Sequence, residues 1–563
     1  MQRPDNLNDA QWQAVTHPGD HLLITAGPGT GKTHTLTQRI IFKLFQKLSD
    51  KKILAITFTN KAAQEMRKRL EASSADHFLR VDVGTFHKFC LRLLREFYQE
   101  AHLPQDFSIA LPAQAQAIAK TIWPDEKPKN LQEKLDQISL SKNTCGGELT
   151  PQALCYTQKL RENKLLDFDD LLYEALKLLR GAKNVRKVMQ ERYGHIFVDE
   201  YQDINEVQHG ILLLCAGDKA GVTVIGDPHQ AIYGFRGSSA SFFEKFLEDF
   251  PSAQKVSLAD NYRSGGNLVK AAGQVIEKDA AACALPLISR LHKEGRLIVH
   301  NAPSERAEAE YIVHEIEKLL GGTSLFSKDS RRISGQEEAF FSFGDIAVLY
   351  RLNSQSKHLK EAFARSGIPF EVSGDKPLYE EQEAQKIAAR LCSFRSGPKE
   401  KLLNYLEQQK AGQPSSVLEK LFDLAQGAGS VDEFLDDLRL QKENDGHAYN
   451  AQKVTLATLH ASKGLEFAAV FIVGCEDGLV PLKRDGQKTD IDEERRLFYV
   501  GMTRAKELLY LVSSAQRLWR GQRQRTQLSP FVLDIEKQLK EEKQHTLPKR
   551  KTHNGQLDLF KGF

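Results

Sequence analysis

A glycine-rich run between a predicted strand and a predicted helix is the strongest candidate for chemistry in this sequence. Glycines let backbone N–H groups face a phosphate, and the N-terminus of the following helix adds a favourable field. The lysine would reach terminal phosphates and the last threonine would hold Mg²⁺, as in a P-loop. An alanine replaces the first glycine of the strict pattern, at an outer position that is compatible with phosphate binding. The predicted phosphate-binding residues are Ala26, Gly27, Pro28, Gly29, Thr30, Gly31, Lys32 and Thr33.

Two adjacent acids follow a short apolar run and could complete the chemistry of phosphoryl transfer. Asp199 and Glu200 come directly after Ile196–Val198, which is typical of a buried strand. Asp199 is expected to bind Mg²⁺ with Thr33, and Glu200 to orient and deprotonate the attacking water. Adjacent acids are more often a solvated turn, but the buried run before them and the P-loop upstream favour the catalytic interpretation.

Arginines usually supply positive charge to the transition state of phosphoryl transfer, because a planar guanidinium matches phosphate oxygens. Two candidates are Arg263, in Asn-Tyr-Arg-Ser, and Arg504, in Met-Thr-Arg-Ala-Lys. Either arginine alone is more often a surface ion pair, so the hypothesis depends on their occurring together with the P-loop and the acids. A site of this composition predicts ATP and Mg²⁺ as the bound species.

The elements that would position these residues are short β-branched runs alternating with amphipathic helical patterns. Such alternation predicts an α/β fold with parallel sheets covered by helices. The pattern occurs twice, and a polar helical stretch interrupts each half. The predicted strands are His21–Thr25, Ile53–Phe58, His195–Val198, Val222–Ile225, Leu297–His300, Ile346–Tyr350 and Val470–Val473.

The breaks in this pattern divide the chain into two α/β domains, each with an insertion, and a Lys/Gln-rich tail that we expect to be flexible. The second insertion has roughly sixty residues, near the lower limit for an independently stable unit. The predicted ranges are 1–102 and 193–258 for the first domain, 103–192 for its helical insertion, 259–392 and 453–535 for the second domain, 393–452 for its short helical insertion, and 536–563 for the tail.

Composition narrows the class of protein. The 563 residues are 41% hydrophobic and 27% charged, as in ordinary soluble multidomain proteins. No apolar run reaches the roughly 20 residues of a membrane span, and the seven cysteines are scattered singly. We therefore expect a cytoplasmic protein without membrane contact, zinc site or disulfide framework. The net charge of +4 is too small to indicate a nucleic-acid partner.

A series of motifs in one order resembles those of the UvrD-like helicases of superfamily 1 and extends over nearly the whole chain. The resemblance implies two RecA-like P-loop motor domains, each an α/β parallel sheet flanked by helices and each with a helical insertion. It also implies an ATP-dependent DNA helicase that moves 3′→5′ along single-stranded DNA and acts in repair, replication or recombination. Besides the P-loop, the motifs are Leu7–Gln11, Thr57–Ala63, Gly84–His87, Asp199–Asn205, Gly226–Gly237, Asn261–Ser264, Thr458–Phe467 and Glu493–Val500.

Carried over by position, the resemblance assigns further contacts to the nucleotide. Arg263 and Arg504 would act as arginine fingers. His34 stands where the family usually has arginine directly after the P-loop threonine, so nucleotide affinity or base contact is expected to differ. The other implied contacts are adenine contact by Gln11, adenine stacking by Tyr262, ribose binding by Glu466 and terminal-phosphate contact by Gln230.

The same carry-over places DNA contacts in both domains. Non-specific binding of a single strand needs aromatic platforms, because every base has a face on which to stack. Phe58, Tyr233 and Phe235 are the predicted platforms, although Phe58 could instead end a buried strand and simply pack. The predicted phosphate or sugar contacts, which set position rather than sequence preference, are Thr59, Asn60, Thr85, His87 and His460.

Departures from the family leave the function partly open. Glu381 stands in a segment that is often aromatic-rich in the family, and no role is transferred to it. The insertion of the second domain, which contacts duplex in larger relatives, is short here. An alternative is therefore an ATP-driven remodeller that displaces proteins from single-stranded DNA with little strand separation.

Other classes are less favoured by the residues. A nuclease-helicase would need an appended nuclease domain, for which about sixty residues after Arg504 leave too little room. An inactive ATP-binding protein is disfavoured because the predicted catalytic residues are all present. The residues alone leave RNA open as the track, although the resemblance favours DNA.

The last residues carry a separate motif. Gln-Leu-Asp-Leu-Phe resembles the short peptide by which bacterial proteins dock in the replication sliding clamp, with the leucine and phenylalanine at its end as apolar anchors. A chance motif that caps a neighbouring domain is the alternative. We expect the clamp as a partner and a nucleoid-associated location. The predicted partner-binding residues are Gln556, Leu557, Asp558, Leu559 and Phe560.

Overall fold

Two parallel sheets organise the chain, one in each half of the sequence. The computed structural model describes residues 3–46, 50–73, 78–144, 149–279, 286–321, 341–373, 377–392, 397–412, 415–441, 452–483, 486, 489–519 and 521–543. Within these ranges no helix is both long and apolar enough to cross a lipid bilayer.

The first sheet has six parallel strands in the order β3-β2-β6-β7-β1-β8. Its central strands are buried on both faces, which explains their near-continuous apolar sequences. The four strands that the sequence predicts here are confirmed. The strands of this half are β1 (His21–Ala26), β2 (Lys52–Thr57), β3 (Val81–Thr85), β4 (Ser108–Ile109), β5 (Leu165–Leu166), β6 (Tyr193–Val198), β7 (Gly221–Gly226) and β8 (Gln254–Leu258).

Two apolar clusters cover the faces of this sheet. Successive strand residues point to opposite faces, so Leu22 and Ile24 enter one cluster and Leu23 enters the other. The first cluster contains the helices Asp9–Thr16, Lys32–Phe45 and Asn60–Ser73. The second contains the helices Phe86–Glu96, Phe168–Gly181, Lys183–Arg192, Glu206–Ala216 and Phe242–Asp249.

The first insertion is smaller than its predicted range of 103–192. A separate apolar cluster forms from the helices Pro112–Ile122, Pro128–Asn143 and Pro151–Glu162. The helices Phe168–Gly181 and Lys183–Arg192 instead pack on the first sheet, because their apolar faces meet the helix Phe86–Glu96 and strand β6. The pair β4 and β5 joins the two parts.

The second sheet has seven parallel strands in the order β13-β14-β12-β15-β16-β11-β19. The three strands predicted in this half are confirmed. The strands of this half are β9 (Asp260–Asn261), β10 (Ile288–Ser289), β11 (Arg296–Ala302), β12 (Ile346–Tyr350), β13 (Phe370–Val372), β14 (Val454–Thr458), β15 (Phe467–Val473), β16 (Ala505–Ser514), β17 (Gln516–Trp519), β18 (Gln522–Arg525) and β19 (Glu541–Lys543). Strands β9 and β10 form a separate two-stranded sheet, as do β17 and β18. The helices against this sheet are Gly266–Ile276, Glu305–Leu319, Ser356–Ser366, Ile491–Met502 and Pro530–Leu533.

The second insertion is a four-helix cluster with its own apolar core. This core begins at Leu378, fifteen residues before the predicted start of the insertion at 393, because the first helix of the cluster packs with the other three rather than on the second sheet. The helices are Gln382–Leu391, Lys399–Gly412, Ser416–Gly427 and Val431–Arg439.

The predicted tail at 536–563 is wrong in its first residues. Strand β19 pairs in parallel with β11 and forms the outer edge of the second sheet. Glu541 forms an ion pair with Arg296, and Lys543 forms one with Glu315. The predicted clamp-binding residues 556–560 lie outside the described residues.

Candidate active site and nucleic-acid interface

The glycine-rich loop makes a tight turn between β1 and the helix that begins at Lys32. Gly29 and Gly31 have φ angles of 71° and 78°, in the left-handed region that glycine adopts without steric cost. A Cβ on Gly29 would lie 2.6 Å from the Cβ of Arg263. Residues from the start of the second half of the chain therefore close directly over the loop.

Three features of this loop fit the phosphates of ATP. Its glycines leave backbone N–H groups accessible at a helix N-terminus. Lys32 holds its ammonium 3.2 Å from the carbonyl oxygens of Ala26 and Gly27, at the mouth of the loop. The buried Nε of Arg263 has no hydrogen-bond acceptor among the described residues, and a phosphate oxygen would supply one.

Thr33 and Asp199 meet at the carboxyl ends of β1 and β6. The Thr33 hydroxyl donates to Oδ2 of Asp199 at 3.0 Å. Burial, together with the neighbouring Glu200 carboxylate, raises the pKa of Asp199 to about 7. A divalent cation here would offset this unfavourable negative charge, and hydroxyl and carboxylate oxygens are ligands that Mg²⁺ prefers. The pair therefore fits a magnesium ion.

Glu200 is held in a left-handed backbone conformation, with φ of 52°. Its carboxylate accepts a hydrogen bond from the Gln202 side-chain amide. Burial acts to raise the pKa of Glu200, but the charges of Lys32 and Lys463 and the Gln202 bond outweigh it and lower the pKa. Glu200 is therefore ionised near neutral pH, which a group that accepts a proton requires.

Gln230 connects the two domains at the site. It lies in the 3₁₀ turn after β7 and donates its amide to Oδ2 of Asp227 at 2.6 Å. Arg504 donates to Oε1 of Gln230 at 3.4 Å. Burial, with a smaller effect of Arg263, lowers the pKa of Arg504 to about 9, so this arginine stays protonated near neutral pH. Both predicted arginine fingers thus lie on the second-domain side of one cleft.

The remaining second-domain residues surround the mouth of this cleft. Arg263 and Lys506 bind the two carboxylate oxygens of Glu466 at 2.7 and 2.8 Å. Burial would raise the pKa of Glu466, but Arg263 and Lys506 leave it lowered. The Tyr262 ring is 47% exposed, and its hydroxyl accepts from Asn8 at 3.0 Å. Stacking of Tyr262 on adenine stays a prediction.

Gln11 has other contacts in this structure, and the buried Nε2 of His34 has no hydrogen-bond partner among the described residues. The Gln11 amide donates to the carbonyl of Thr30 at 2.9 Å, and its oxygen accepts from the backbone of Asn8. Gln11 therefore ties the first helix to the P-loop, and its contact with adenine stays a prediction. Burial and the charge of Arg69 lower the pKa of His34, which favours the neutral imidazole.

Lys463 is a site residue that the sequence reasoning missed. Its ammonium lies 2.6 Å from both oxygens of Asp203 and 2.7 Å from the carbonyl of Gln230. It also lies 5.2 Å from the centre of the Tyr233 ring. Lys463 stands in the motif Thr458–Phe467, and that position was the only available signal. The lysine joins the second domain to both the acid-bearing loop and the segment after β7.

Four predicted DNA contacts form a single group, which we call the aromatic row: Phe58, Tyr233, Phe235 and His460. Phe58 and Tyr233 stack with centroids 5.2 Å apart, and the next two ring pairs lie 6.0 and 6.1 Å apart. Tyr233 belongs to the apolar core of the second domain. Phe235 is 60% exposed. The row crosses both domains, and Phe235 is its most exposed member.

The other predicted DNA contacts have structural partners. Thr59 and Thr85 each accept a backbone N–H in the first turn of the helix that follows, at 3.1 and 3.3 Å. Asn60 donates at 3.3 Å to the backbone carbonyl of Leu440, at the end of the last helix of the second insertion. The His87 ring lies 5.2 Å from the ring of Phe168. These contacts are distinct from the aromatic row.

Comparison with known proteins agrees with this arrangement. The model for the UvrD/REP helicase N-terminal domain matches residues 7–251. The model for the UvrD-like helicase C-terminal domain matches residues 256–430 and 422–516. The ATP-dependent DNA helicase PcrA of Staphylococcus epidermidis is 29% identical over 99% of this chain and 90% of its own length. PcrA of Staphylococcus aureus is 28% identical, over 97% and 88%. The chain therefore belongs to the UvrD/REP family of DNA helicases, which are DNA-dependent ATPases.

Proposed function

We propose that this protein is an ATP- and Mg²⁺-dependent helicase that moves 3′→5′ along single-stranded DNA and unwinds single/double-strand junctions. One observation carries the proposal: the segment from Asp227 to Phe235 has one end in the nucleotide site and the other in the aromatic row. DNA as the track is supported by the relatives named above. Direction, a role in repair, replication or recombination, and a cytoplasmic, nucleoid-associated location rest on the motif resemblance.

The site supports a direct mechanism for hydrolysis. Glu200 takes the proton of the attacking water, while the Gln202 amide fixes the orientation of that carboxylate. Arg263 and Arg504 stabilise the charge that develops on the transferred phosphoryl group. Thr33 and Asp199 would hold Mg²⁺, and the ion would supply positive charge beside the phosphate oxygens.

Coupling to DNA would pass through the segment after β7. The Gln230 side chain lies between Asp227 and Arg504, and the backbone carbonyl of Gln230 accepts from Lys463. A bound terminal phosphate favours the closed cleft, and its release favours the open one. Because Tyr233 and Phe58 come from the first domain but pack against the apolar core of the second, opening the cleft would disturb both rings and change the grip on a base.

The second insertion favours the alternative of a protein-displacing remodeller with little unwinding. Its last helix, Val431–Arg439, lies against the first domain rather than free. Asp437 binds Lys88 at 2.8 Å and Glu433 binds Arg92 at 2.7 Å. An insertion held in this way has fewer groups to present to duplex DNA.

One experiment tests the proposal and separates it from the alternative. Steady-state ATP hydrolysis is measured with and without a single-stranded DNA oligonucleotide, then unwinding of duplexes with a 3′ or a 5′ single-stranded tail. We expect stimulation by DNA and unwinding only of the 3′-tailed duplex. Displacement of streptavidin from biotinylated single strands without any unwinding would favour the remodeller, and unwinding only of the 5′-tailed duplex would contradict the direction.

Phe235 is expected to contribute directly to DNA affinity. Stacking of one base on an aromatic ring is worth about 1–3 kcal/mol, so Phe235→Ala should weaken single-strand binding by roughly 5- to 150-fold. Fluorescence anisotropy of a labelled oligonucleotide measures the change. Phe45→Ala is the control, since Phe45 is also exposed but lies at the far end of the P-loop helix. Equal affinities for the two variants would remove Phe235 from the DNA interface.

The sliding clamp remains a separate proposal. It rests on the sequence of residues 556–560 alone, because these residues lie outside the described part of the chain. The apolar leucine and phenylalanine of that peptide would enter the cleft of the clamp.

A further inference from the structure

Three segments meet at the end of the helix Pro128–Asn143 in the first insertion. Oδ1 of Asn143 accepts from Nδ2 of Asn205 at 2.7 Å. A Cβ on Gly237 would lie 3.7 Å from the Asn143 carbonyl oxygen and 3.9 Å from the Asn205 Cβ. Asn143 is 5% exposed and Asn205 is 7% exposed. The buried Asn143 side chain thus touches the loop after β6, and the Asn143 backbone carbonyl lies beside Gly237 in the segment after β7.

The orientation of the Asn143 amide is determined by its partners. Its Nδ2 donates to Oδ1 of Asp169 at 2.6 Å and to the carbonyl of Ser139 at 3.0 Å. A carboxylate and a carbonyl can only accept, so the amide nitrogen must face them. The amide oxygen is therefore the atom that faces Asn205.

Both neighbouring segments lead to the site. The first runs from Glu200 through the 3₁₀ turn Tyr201–Asp203 to Asn205, whose Oδ1 caps the next helix by accepting from Gln208. It is six residues long. The hydrogen bond between Gln202 and Glu200 at one end and the bond between Asn205 and Asn143 at the other restrict its movement. The second is the 3₁₀ turn Gly234–Arg236, which carries Phe235 and ends at Gly237 with φ of 80°.

We propose that Asn143 is a positioning residue through which the first insertion links DNA engagement to the rate of ATP hydrolysis. The inference rests on the proposed DNA-coupled ATPase. Asn143 contacts the segment that carries the water-activating Glu200 and lies beside the turn that carries the base-facing Phe235, so it fixes the two segments relative to each other. When a base contacts Phe235, the turn at Gly237 presses on Asn143, and Asn205 carries the displacement to the hydrolysis segment.

The test separates coupling from structure. Asn143→Ala is expected to lower the ratio of DNA-stimulated to basal kcat by about fivefold or more, the usual scale of coupling between sites, with the KM for ATP within about twofold. Asn163→Ala is the matched control. Asn163 lies in the same insertion and donates in the same way to a backbone carbonyl four residues earlier, without contacting Asn205 or Gly237.

A double variant guards against simple misfolding. Asn143→Asp with Asp169→Asn keeps the total charge, still presents an acceptor to Asn205, and reverses the direction of the bond between positions 143 and 169. It loses only the bond to the Ser139 carbonyl in the same helix. We expect it to restore most of the stimulation. A normal ratio in Asn143→Ala, or equal losses of basal and stimulated rates, would overturn the inference. Absence of DNA stimulation in the unmodified protein would instead overturn the proposed function.

Discussion

Replacing Glu200 with glutamine should lower kcat for ATP hydrolysis by about 10²- to 10⁴-fold, the usual contribution of a positioned general base. Glutamine has nearly the same shape and can keep the contact with Gln202, but its amide cannot take a proton from water. The lowered pKa of Glu200 shows that the native group is ionised near neutral pH. The loss therefore belongs to the chemical step and leaves nucleotide affinity nearly unchanged.

A coupled assay of phosphate release, together with binding of a fluorescent ATP analogue, measures both quantities. Glu206→Gln is the control, because Glu206 lies only six residues further along, in the first turn of the next helix. If Glu200→Gln kept more than about a tenth of the native kcat, another group would have to activate the water.

Lys463→Ala is the second substitution with a large expected effect. The Asp203 side chain is fully buried and that of Lys463 is 8% exposed. Removing one partner of a buried ion pair costs about 3–5 kcal/mol. Because this pair connects the two domains, its loss destabilises the closed cleft, and a shift of about 3 kcal/mol lowers the ratio of closed to open molecules by roughly a hundredfold. DNA-stimulated hydrolysis should fall by up to a similar factor.

Two further variants serve as controls for Lys463→Ala. Lys483→Ala removes an exposed ion pair with Asp477 and should change stability by less than about 1 kcal/mol. Lys463→Met with Asp203→Asn removes the whole buried pair, so thermal unfolding should return towards the native temperature. Hydrolysis should stay low in this double variant, because the contact with the Gln230 carbonyl is still missing. Full activity in Lys463→Ala would mean that the domains close without this lysine.

The sequence predicts seven strands from local signals, although it missed β14 and β16, whose apolar and β-branched sequences carry the same kind of signal. The seven predicted strands are all present, because each is a short β-branched run bounded by turn residues. Strand β3 contains an aspartate and a glycine, which are depleted in strands, and it was not predicted. Strand β19 is Glu-Glu-Lys, a composition typical of a charged edge strand rather than of a core strand. Only its pairing with β11 identifies it.

In the candidate site, too, contiguous motifs could be predicted from the sequence, whereas contacts between distant residues could not. The P-loop and the acid pair are contiguous in sequence, so their residue types and spacing were sufficient to propose the chemistry. The bond between Lys463 and Asp203 joins residues 260 positions apart, and nothing local indicates it. The structure assigns no function to Glu381. The start of the second insertion near Leu378 is visible only in the packing of its four helices.

The edge strand β19 limits where the chain can be shortened. It covers the outer side of β11, and the ion pairs of Glu541 and Lys543 hold it there. A truncation before Glu541 would leave β11 with a row of unsatisfied N–H and C=O groups, a surface on which a strand from another molecule can add. Such a chain would be prone to aggregate. A deletion aimed at the clamp motif must therefore retain Lys543, or a loss of clamp binding could not be told from self-association.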